Sequence, residues 1–463
     1  MLDLKRKLAR LGVAPAPEPT PPSEPLSEKQ ERIGRMRAVI EQMQARDRTA
    51  MRAAGPRTPR GPSALPGETV DTDDGPLHRV AQYLQPSHCH GRVPIARALD
   101  ACPRAVAALA LDPELAGVDL RRMLLIDTET TGLSGGTGTL PFLIGMAWFE
   151  DESLRIEQLF LRTPGEERPM LARLAERIAA SSCIVTYNGK SFDWPLLRTR
   201  AVMNRVAVPA PAAHLDLLHC ARRVFARRLG QVRLVHIETE VLGMRRERDV
   251  DGAEIPDLYW QFVRGHEGSL MAPVIEHNAN DLVALAALLA SLAERWQDAL
   301  PAHDPADRLG IAKVALRHGD LERARRFADA AVLGGAGSDV AVDALLVATE
   351  TENKRARHHE VAGLLREALA MSHGERAAAI HLALAKHLEH KGRDPDGALT
   401  HAAETARVEG DGACARRVAR LTRKRDRRIE KDRQKAQRDA QRAEKRAARV
   451  AATAARSLPL DPS

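Results

Sequence analysis

The sequence predicts an α/β protein, in which a mixed β-sheet flanked by helices is followed by an all-α helical-repeat region, with flexible basic segments at both termini. Three observations lead to this prediction. Short apolar runs alternate with helical periods between residues 120 and 296. The period is helical throughout residues 305–408. The two ends are rich in Pro or in Lys and Arg.

These features divide the chain into four expected parts. Residues 1–76 form a linker with one short helix, 77–298 the α/β domain, 305–410 the helical repeats, and 411–463 a basic solvated helix or tail. In the first part, residues 15–25 hold 6 Pro in 11 positions, which forbids a helix. Ser27 and Gln30 then form a capping box before apolar residues at helical spacing, and residues 54–76 are again rich in turn formers.

The elements of the α/β domain follow from its apolar periodicity. The predicted strands are residues 123–126, 142–149, 154–161 and 183–187. The predicted helices are residues 167–180, 195–204 and 276–296. Three successive strands, followed by strand–helix–strand units, indicate a mixed sheet that is covered by helices on both faces.

Two segments of the helical region share a pattern. LRHGDLERARRFADAA and LEHKGRDPDGALTHAAETA each place a Gly between two helices and small Ala residues at helical spacing on the second helix. Small side chains let neighbouring helices approach closely, as they do in arrays of helical hairpins. The pattern resembles divergent tetratricopeptide repeats, although other Ala-rich hairpins would share it. Such an array can recruit a protein partner, which the sequence does not identify.

Composition excludes several classes of protein. The chain has no apolar run of about 18 residues and no secretory signal, so we expect neither a membrane span nor secretion. Its 5 Cys are scattered without a CxxC pair, which favours a cytoplasmic protein. With 7 Phe, 4 Trp and 3 Tyr, the chain has too few rings to bind single strands mainly by base stacking.

The positive charge is concentrated at the two ends. Residues 416–449 contain 16 Lys and Arg against 5 Asp and Glu, which gives +11, and residues 1–63 contribute +6. Because the whole chain carries +8, the body from 64 to 415 has a net charge of −9. Basic arms on an acidic body indicate a polyanionic partner, unless they serve only to solubilise the chain.

Asp127 and Glu129 are the first candidate site residues. They follow the apolar strand MLLI in the segment DTETTG, and residues i and i+2 of a strand face the same side. Two carboxylates at this place are costly unless a cation lies between them, and oxygen ligands suit Mg²⁺ or Mn²⁺. The alternative interpretation is an exposed acidic turn.

Two more segments carry candidate residues. In YNGKSFD, Asp193 follows a predicted strand and opens a helix, where it can be a metal ligand or a helix cap. In EHNANDL, His277 and Asp281 share one face of a helix, where a surface pair is the alternative. Together the three segments supply four carboxylates and one imidazole, a combination that rarely arises by chance.

DTETTG, N-x3-F-D and H-x3-D are similar to the three exonuclease motifs of the DEDD superfamily, which has a ribonuclease H-like fold. The finer resemblance is to the bacterial YprB-like family. It rests on DTETTGLSGGTGTLPFLIG, YNGKSFDWPLLRTR, HLDLLH with LVHIETEVLG, and EIPDLYWQFVRG before EHNANDL, and it covers about residues 80–295. One departure is that three residues separate His277 from Asp281, the spacing of superfamily members that carry Tyr at the first position.

The resemblance and the residues together imply a nuclease that removes nucleotides in the 3′→5′ direction with two Mg²⁺ or Mn²⁺ ions about 4 Å apart. The expected metal ligands are Asp127, Glu129, Asp193 and Asp281. One ion would activate a water and the other would stabilise the leaving 3′ oxygen. His277 would act as the general base, since an imidazole exchanges protons near neutral pH.

Substrate contacts are expected from Thr130, Asn188 and Lys190. Further candidate phosphate contacts, which can equally be solvated helix faces, are Arg198, Arg200, Arg222, Arg223, Arg227 and Arg228. Asp216 can support the site or satisfy local backbone. The expected function is a metal-dependent exonuclease acting on DNA or RNA. The alternatives are a structure-specific endonuclease with the same chemistry and a non-catalytic nucleic-acid-binding scaffold.

Overall fold

The computed structural model describes residues 65–132, 138–247, 249–298 and 303–456, with side chains as far as residue 450. The Pro-rich linker at 15–25, the helix expected after Ser27 and the first part of the second linker lie outside these residues. The α/β domain and the helical region both fall largely within them, so most of the predicted elements can be compared directly with the observed ones.

A seven-stranded mixed sheet in the order β1-β2-β7-β6-β5-β8-β9 forms the centre of the α/β domain. Its strands are β1 (Glu68–Thr72), β2 (Gly75–Leu84), β5 (Met123–Thr130), β6 (Pro141–Glu150), β7 (Ser153–Phe160), β8 (Cys183–Thr186) and β9 (His214–Asp216). β3 (Cys89–His90) and β4 (Val93–Pro94) form a separate ribbon. β5 pairs antiparallel with β6 and parallel with β8, so the sheet changes direction at β5.

Helices cover both faces of this sheet. In the α/β domain they are α1 (Pro103–Ala110), α2 (Glu167–Ala180), α3 (Asp193–Met203), α4 (Leu217–Leu229), α5 (Leu234–Ile237), α6 (Ile255–Val263) and α7 (Ala272–Gln297). Residues of α1, α4 and α7 share one apolar core, and residues of α2 and α6 share the core on the opposite face. No helix of the described ranges combines the length and apolarity that crossing a bilayer requires.

The predicted mixed sheet with helices on both faces is confirmed, and each of the four predicted strands and three predicted helices is present. The assignment of residues 65–76 to a linker is wrong. β1 and β2 pair as a hairpin through a two-residue loop, with Gly75 at φ 116° directly after it. The folded part therefore starts before residue 77, because the turn Asp73-Asp74, followed by Gly75, joins two strands whose Val70 and Leu77 side chains pack on the domain.

The helical region continues directly from the α/β domain. Its helices are α8 (Pro305–His318), α9 (Leu321–Gly334), α10 (Asp339–Lys354), α11 (His358–Ala370), α12 (Gly374–His387), α13 (Pro395–Ala402) and α14 (Ala406–Glu409). Each helix from α8 to α12 contacts the next one along the chain, and Gly319 at φ 95° ends α8 as the pattern predicted. The assignment of these helices to tetratricopeptide-like repeats stays a prediction.

α8 packs on α4, so the two regions share an interface. A Cβ atom on Gly310 would lie 2.4 Å from the carbonyl oxygen of Val224, which shows how closely the two backbones approach. Both nitrogens of the Arg228 fork donate to the carboxylate of Asp307 at 2.9 Å. A buried bidentate pair of this kind fixes the orientation of one element on another. The helical region is thus positioned relative to the α/β domain.

α15 (Asp411–Arg456) is the long C-terminal helix. The expectation of a helix without a buried face is wrong for its first turns, because Leu421 is fully buried and Cys414 is 8% exposed. Leu421 packs in a small apolar cluster with α12 and α13. From residue 426 to 450 every side chain is exposed, which agrees with the predicted solvated helix.

Candidate active site

Asp127 and Glu129 lie on the outer half of β5. Leu125 is fully buried and belongs to the same core as Leu282 of α7. Because alternate residues of a strand face the same side, Asp127 and Glu129 continue the face that packs against α7. Their side chains are half-buried, and Glu129 is 14% exposed. The alternative of an exposed acidic turn is therefore wrong.

α7 approaches the sheet closely beside Asp127. Asp127 pairs in register with Gly145 of β6, and a Cβ atom at Gly145 would lie 2.1 Å from the side-chain oxygen of Asn278. The side chain of Asn278 accepts a hydrogen bond from Gln158 Nε2 at 2.8 Å and donates its Nδ2 to Asp127 Oδ2 at 2.8 Å. The buried amides of Gln158 and Asn278 thus orient the Asp127 carboxylate. Any side chain larger than Gly at residue 145 would displace the Asn278 amide.

The loop after β8 is held by Asp216. Its carboxylate accepts hydrogen bonds from the backbone N–H of Asn188 at 2.8 Å and of Lys190 at 3.1 Å. Asn188 has φ 69°, and a Cβ atom at Gly189 would lie 2.5 Å from Cβ of Thr186. Asp216 therefore satisfies local backbone, and in doing so it sets the loop that precedes α3.

Asp193 and Asp281 complete the group of acids. Asp193 is the first residue of α3, and its carboxylate accepts a hydrogen bond from the hydroxyl of Thr128 on β5. Asp281 lies on α7, with 16% of its side chain exposed. His277 Nε2 is 3.8 Å from Asp281 Oδ2 and 3.9 Å from Glu129 Oε1. The interpretation of His277 and Asp281 as a surface pair is therefore wrong, because both face the carboxylates of β5.

Asp249, which the sequence did not single out, orients His277. The Nδ1 atom of His277 is 2.6 Å from Asp249 Oδ1, and its Nε2 faces the acids. A carboxylate at one ring nitrogen fixes both the tautomer and the orientation of an imidazole. With Nδ1 protonated, Nε2 is left as a proton acceptor directed toward the acid cluster, by which we mean Asp127, Glu129, Asp193 and Asp281.

Arg246 is the second residue that sequence reasoning missed. Its guanidinium is 4% exposed and donates to Asp281, and it contacts Glu238 Oε2 at 2.9 Å and Asp249 Oδ2 at 3.1 Å. Glu238 is fully buried and also bonds to His90 Nε2 at 2.7 Å. The neighbouring carboxylates raise the pKa of Arg246 although burial opposes this. Arg246 therefore supplies positive charge to the acid cluster from within the chain.

The carboxyl groups of the acid cluster hold protons more strongly than ordinary carboxyl groups do. Burial, and then the charges of Asp281, Glu129 and Asp193, raise the pKa of Asp127 well above its usual range. Burial and the neighbouring acids have the same effect on Glu129. Burial raises the pKa of Asp193 to about 6 and also raises that of Asp281. Burial is the main cause of all four shifts, and repulsion by neighbouring acids adds to it at Asp127 and Glu129.

The donor chemistry of the acid cluster fits a hard divalent cation. Carboxylate oxygens are the ligands that Mg²⁺ and Mn²⁺ prefer, and a bound cation relieves the mutual repulsion. Among the described residues, no three His, Cys, Asp or Glu side chains are arranged to hold an ion together. Asp127, Asp193 and Asp281 each bond to a different partner. Each of these bonds uses one oxygen of the carboxylate, so binding of a shared ion requires the other oxygens to turn toward a common point.

Thr130, Asn188 and Lys190, the three expected substrate contacts, differ in the partners they have in the structure. The hydroxyl of Thr130 donates to the carbonyl of Gly132 at 3.0 Å. Asn188 lies in the loop between β8 and α3 with a half-buried side chain. The ammonium of Lys190 is 3.5 Å from Asp112 Oδ2, so Lys190 forms an ion pair with Asp112. Thr130 directly follows Glu129 on β5, Asn188 lies five residues before Asp193, and Lys190 pairs with Asp112.

Several arginines proposed as phosphate contacts bond elsewhere. Arg200 is buried and donates to Glu167, and Arg228 is paired with Asp307. Arg223 donates to the carbonyl of Leu109 at 3.2 Å, and Arg227 is 3.6 Å from Asp343 Oδ2. These four side chains hold elements together. Arg198 and Arg222 are exposed, as a solvated helix face would be.

We expect Arg246→Met to lower the free energy of unfolding of the metal-free protein by about 3–5 kcal/mol, because it leaves buried Glu238 without its guanidinium partner. Arg168→Met is the matched control, since it removes an exposed arginine that pairs with Asp74 at 2.7 Å. The control should lose less than about 1 kcal/mol. Urea denaturation with a chelator present measures both values. Equal losses in the two variants would contradict the role assigned to Arg246.

The comparisons with known proteins agree with this geometry. Residues 124–293 match the model of the RNase H superfamily, and this range contains the whole acid cluster and His277. The chain is 31% identical over 322 residues to the uncharacterized protein YprB of Bacillus subtilis (strain 168). The match covers 66% of this chain and 76% of that protein. The chain therefore belongs to the family of YprB, and its α/β domain is a nuclease-type domain of the RNase H superfamily.

Proposed function

We propose that the protein is a metal-dependent 3′→5′ exonuclease that hydrolyses phosphodiester bonds of nucleic acid. The observation that carries this proposal is the convergence of four carboxylates and one imidazole from β5, α3 and α7. They meet beside the carboxyl ends of β5 and β8, and ligands of α/β sheets bind at such ends. Membership of the RNase H superfamily supports a nucleic-acid substrate.

In this proposal the acid cluster binds two Mg²⁺ or Mn²⁺ ions. Bound ions of this kind lower the pKa of a water molecule and stabilise a departing 3′ oxygen. The chain itself prepares the ligands: Asn278 orients the carboxylate of Asp127, and Thr128 orients that of Asp193. Preorganised ligands of this kind reduce the reorganisation that is needed when the substrate binds.

His277 is the proposed general base. Its Nδ1–H donates to Asp249, so its Nε2 is free to take a proton from the attacking water beside Glu129 and Asp281. Asp249 acts through His277 and is a positioning residue in this scheme. His277 and Asp281 are not separated by the spacing found in superfamily members with a catalytic histidine. The contact of Asp249 with His277 compensates for this difference, because the Asp249 carboxylate fixes the direction of the imidazole ring.

The rim of the acid cluster offers contacts for a nucleotide. Phe192 directly precedes Asp193 and is 57% exposed, so its ring is available for stacking on a base. Thr130 and Asn188 are retained as proposed substrate contacts on the same rim. Lys190 is also retained, and it must leave Asp112 in order to reach a phosphate.

Oligonucleotides labelled at the 3′ or the 5′ end test the proposed polarity. With Mg²⁺ or Mn²⁺, we expect the 3′ label to be released as a mononucleotide, while the 5′-labelled strand shortens stepwise. A chelator should abolish both. Internal fragments from both labels would instead identify a structure-specific endonuclease. Absence of cleavage under all cation conditions would favour a nucleic-acid-binding scaffold and contradict the proposal.

A further inference from the structure

The base of α15 is attached firmly to the helical region. The carboxylate of Glu389, which is 1% exposed, accepts hydrogen bonds from Arg420 at 2.8 Å and Lys424 at 2.6 Å. The hydrogen bond from Arg420, and after it that from Lys424, lowers the pKa of Glu389 to about 2. The pairing therefore persists at neutral pH. Leu421 is buried in the same contact. The helix therefore leaves the body in a direction that its base determines.

Beyond this base, α15 carries a row of cations on one face. Lysines and arginines recur at alternating three- and four-residue intervals, and we call them the basic stripe: Arg428, Lys431, Lys435, Arg438, Arg442 and Lys445. At 1.5 Å per residue the basic stripe is about 26 Å long, with a cation about every 5 Å. Asp426 and Glu444 lie about 150° around the helix axis from it. Asp432 and Asp439 lie closer, about 90° and about 70° from the centre of the stripe, and Asp432 Oδ2 is 3.9 Å from Arg428 Nε. The face of the stripe is therefore predominantly basic.

We propose that the basic stripe binds the phosphate backbone of double-stranded nucleic acid and so presents a duplex to the acid cluster. This inference rests on the proposed nuclease function and specifies its substrate class. The whole chain carries +8 and residues 416–449 carry +11, which leaves −3 for the remainder. Without these residues the net charge of the chain would repel a polyanion, so this helix supplies the attraction.

The composition of α15 favours a duplex over a single strand. Residues 411–456 contain no Phe, Tyr or Trp, so the helix offers no ring on which an unpaired base can stack. The bases of a duplex are already stacked, and its phosphates form regular rows that a straight row of cations can follow.

Two variants with equal changes in charge distinguish binding by the basic stripe from general attraction by the net charge of the chain. The stripe variant combines Lys435→Gln, Arg438→Gln and Arg442→Gln. The control variant combines Arg423→Gln, Arg425→Gln and Arg433→Gln, which lie at least about 90° from the centre of the basic stripe. Each removes three positive charges, and Gln has a helix propensity close to those of Lys and Arg. Circular dichroism checks that both variants keep their helix content.

Dissociation constants are measured for the full chain carrying Asp193→Asn, with a duplex of about two helical turns and a single strand of equal length, across a salt series. The stripe variant should lower the logarithmic salt slope for the duplex by about 2.7, because each lost phosphate contact removes about 0.9. The control variant should lower it much less. The single strand should bind more weakly than the duplex and respond less to the stripe variant.

Three results would overturn the inference. Equal slope changes in the two variants would show that only net charge matters. Single-strand binding as tight as duplex binding would contradict the substrate class. Unchanged duplex binding in the stripe variant would show that the basic stripe does not bind the phosphates of a duplex. Cleavage is measured separately with the native Asp193, so stripe-dependent binding without cation-dependent cleavage would contradict only the proposed function.

Discussion

Asp127→Asn and Asp193→Asn are each expected to reduce phosphodiester cleavage by about 10⁴-fold, the scale on which loss of a catalytic group acts. Each change keeps the shape of the side chain and removes one negative charge. The hydrogen bonds from Asn278 and Thr128 can persist to the remaining oxygen. Asp281→Asn should act similarly, with an added loss of stability because Asp281 is also paired with Arg246.

The fold should survive these changes. Burial and neighbouring acids raise the pKa of Asp127 well above its usual range, so replacing it with a neutral amide relieves repulsion in the metal-free protein. We therefore expect Asp127→Asn to unfold at the same or a higher urea concentration. Asp74→Asn, outside the acid cluster, is the matched control for activity. Full cleavage by Asp127→Asn or Asp193→Asn would remove that residue from the site.

His277→Ala should lower the cleavage rate by about two to four orders of magnitude, because the attacking water loses its proton acceptor. Mn²⁺ affinity should be nearly unchanged, since the four carboxylates remain. Asp249→Asn should also lower the rate, because the imidazole is no longer held in one tautomer by a carboxylate.

His236→Ala is the control for the loss of a histidine, since His236 lies outside the acid cluster, is half-buried and bonds only to the carbonyl of Gln231 in the described structure. Calorimetric titration with Mn²⁺ distinguishes the roles open to His277. A variant that loses Mn²⁺ binding together with activity would identify His277 as a ligand or a structural residue and would contradict its role as a base.

The candidate site was largely predictable because its main residues occupy regular elements. Asp127 and Glu129 alternate on a strand, and His277 and Asp281 are one turn apart on a helix. Two periodicities are thus sufficient to place four of the five proposed catalytic residues on defined faces. Asp193 follows a strand that runs parallel to β5, so its place at the same edge of the sheet was also readable.

Arg246 and Asp249 were not predictable in the same way. They lie between the short π-helix Glu238–Leu242 and α6, where the described residues form neither strand nor helix and no periodicity indicates which way a side chain faces. Arg246 also has a tertiary role, since its partners Glu238, Asp249 and Asp281 include one from a distant helix. Only the fold brings these charges together.

Two other differences had readable signals in the sequence. The hairpin of β1 and β2 was hidden by turn-forming residues, although Asp74-Gly75 is a dipeptide typical of hairpin turns. The buried base of α15 follows from Cys414, Val418 and Leu421 at helical spacing. Each of these patterns spans only a few residues. The surrounding composition, rich in Pro around the hairpin and in Lys and Arg around the base of α15, favours an unstructured or solvated segment instead.

Calorimetric titration of the metal-free full chain with Mn²⁺, beside Asp127→Asn, tests the central claim that the acid cluster is a divalent-cation site. We expect two bound cations per native chain, as a two-metal site requires, and loss of at least one in Asp127→Asn. This measurement needs no knowledge of the substrate. Absence of binding to the native chain, or the same affinity and stoichiometry in both proteins, would contradict the account.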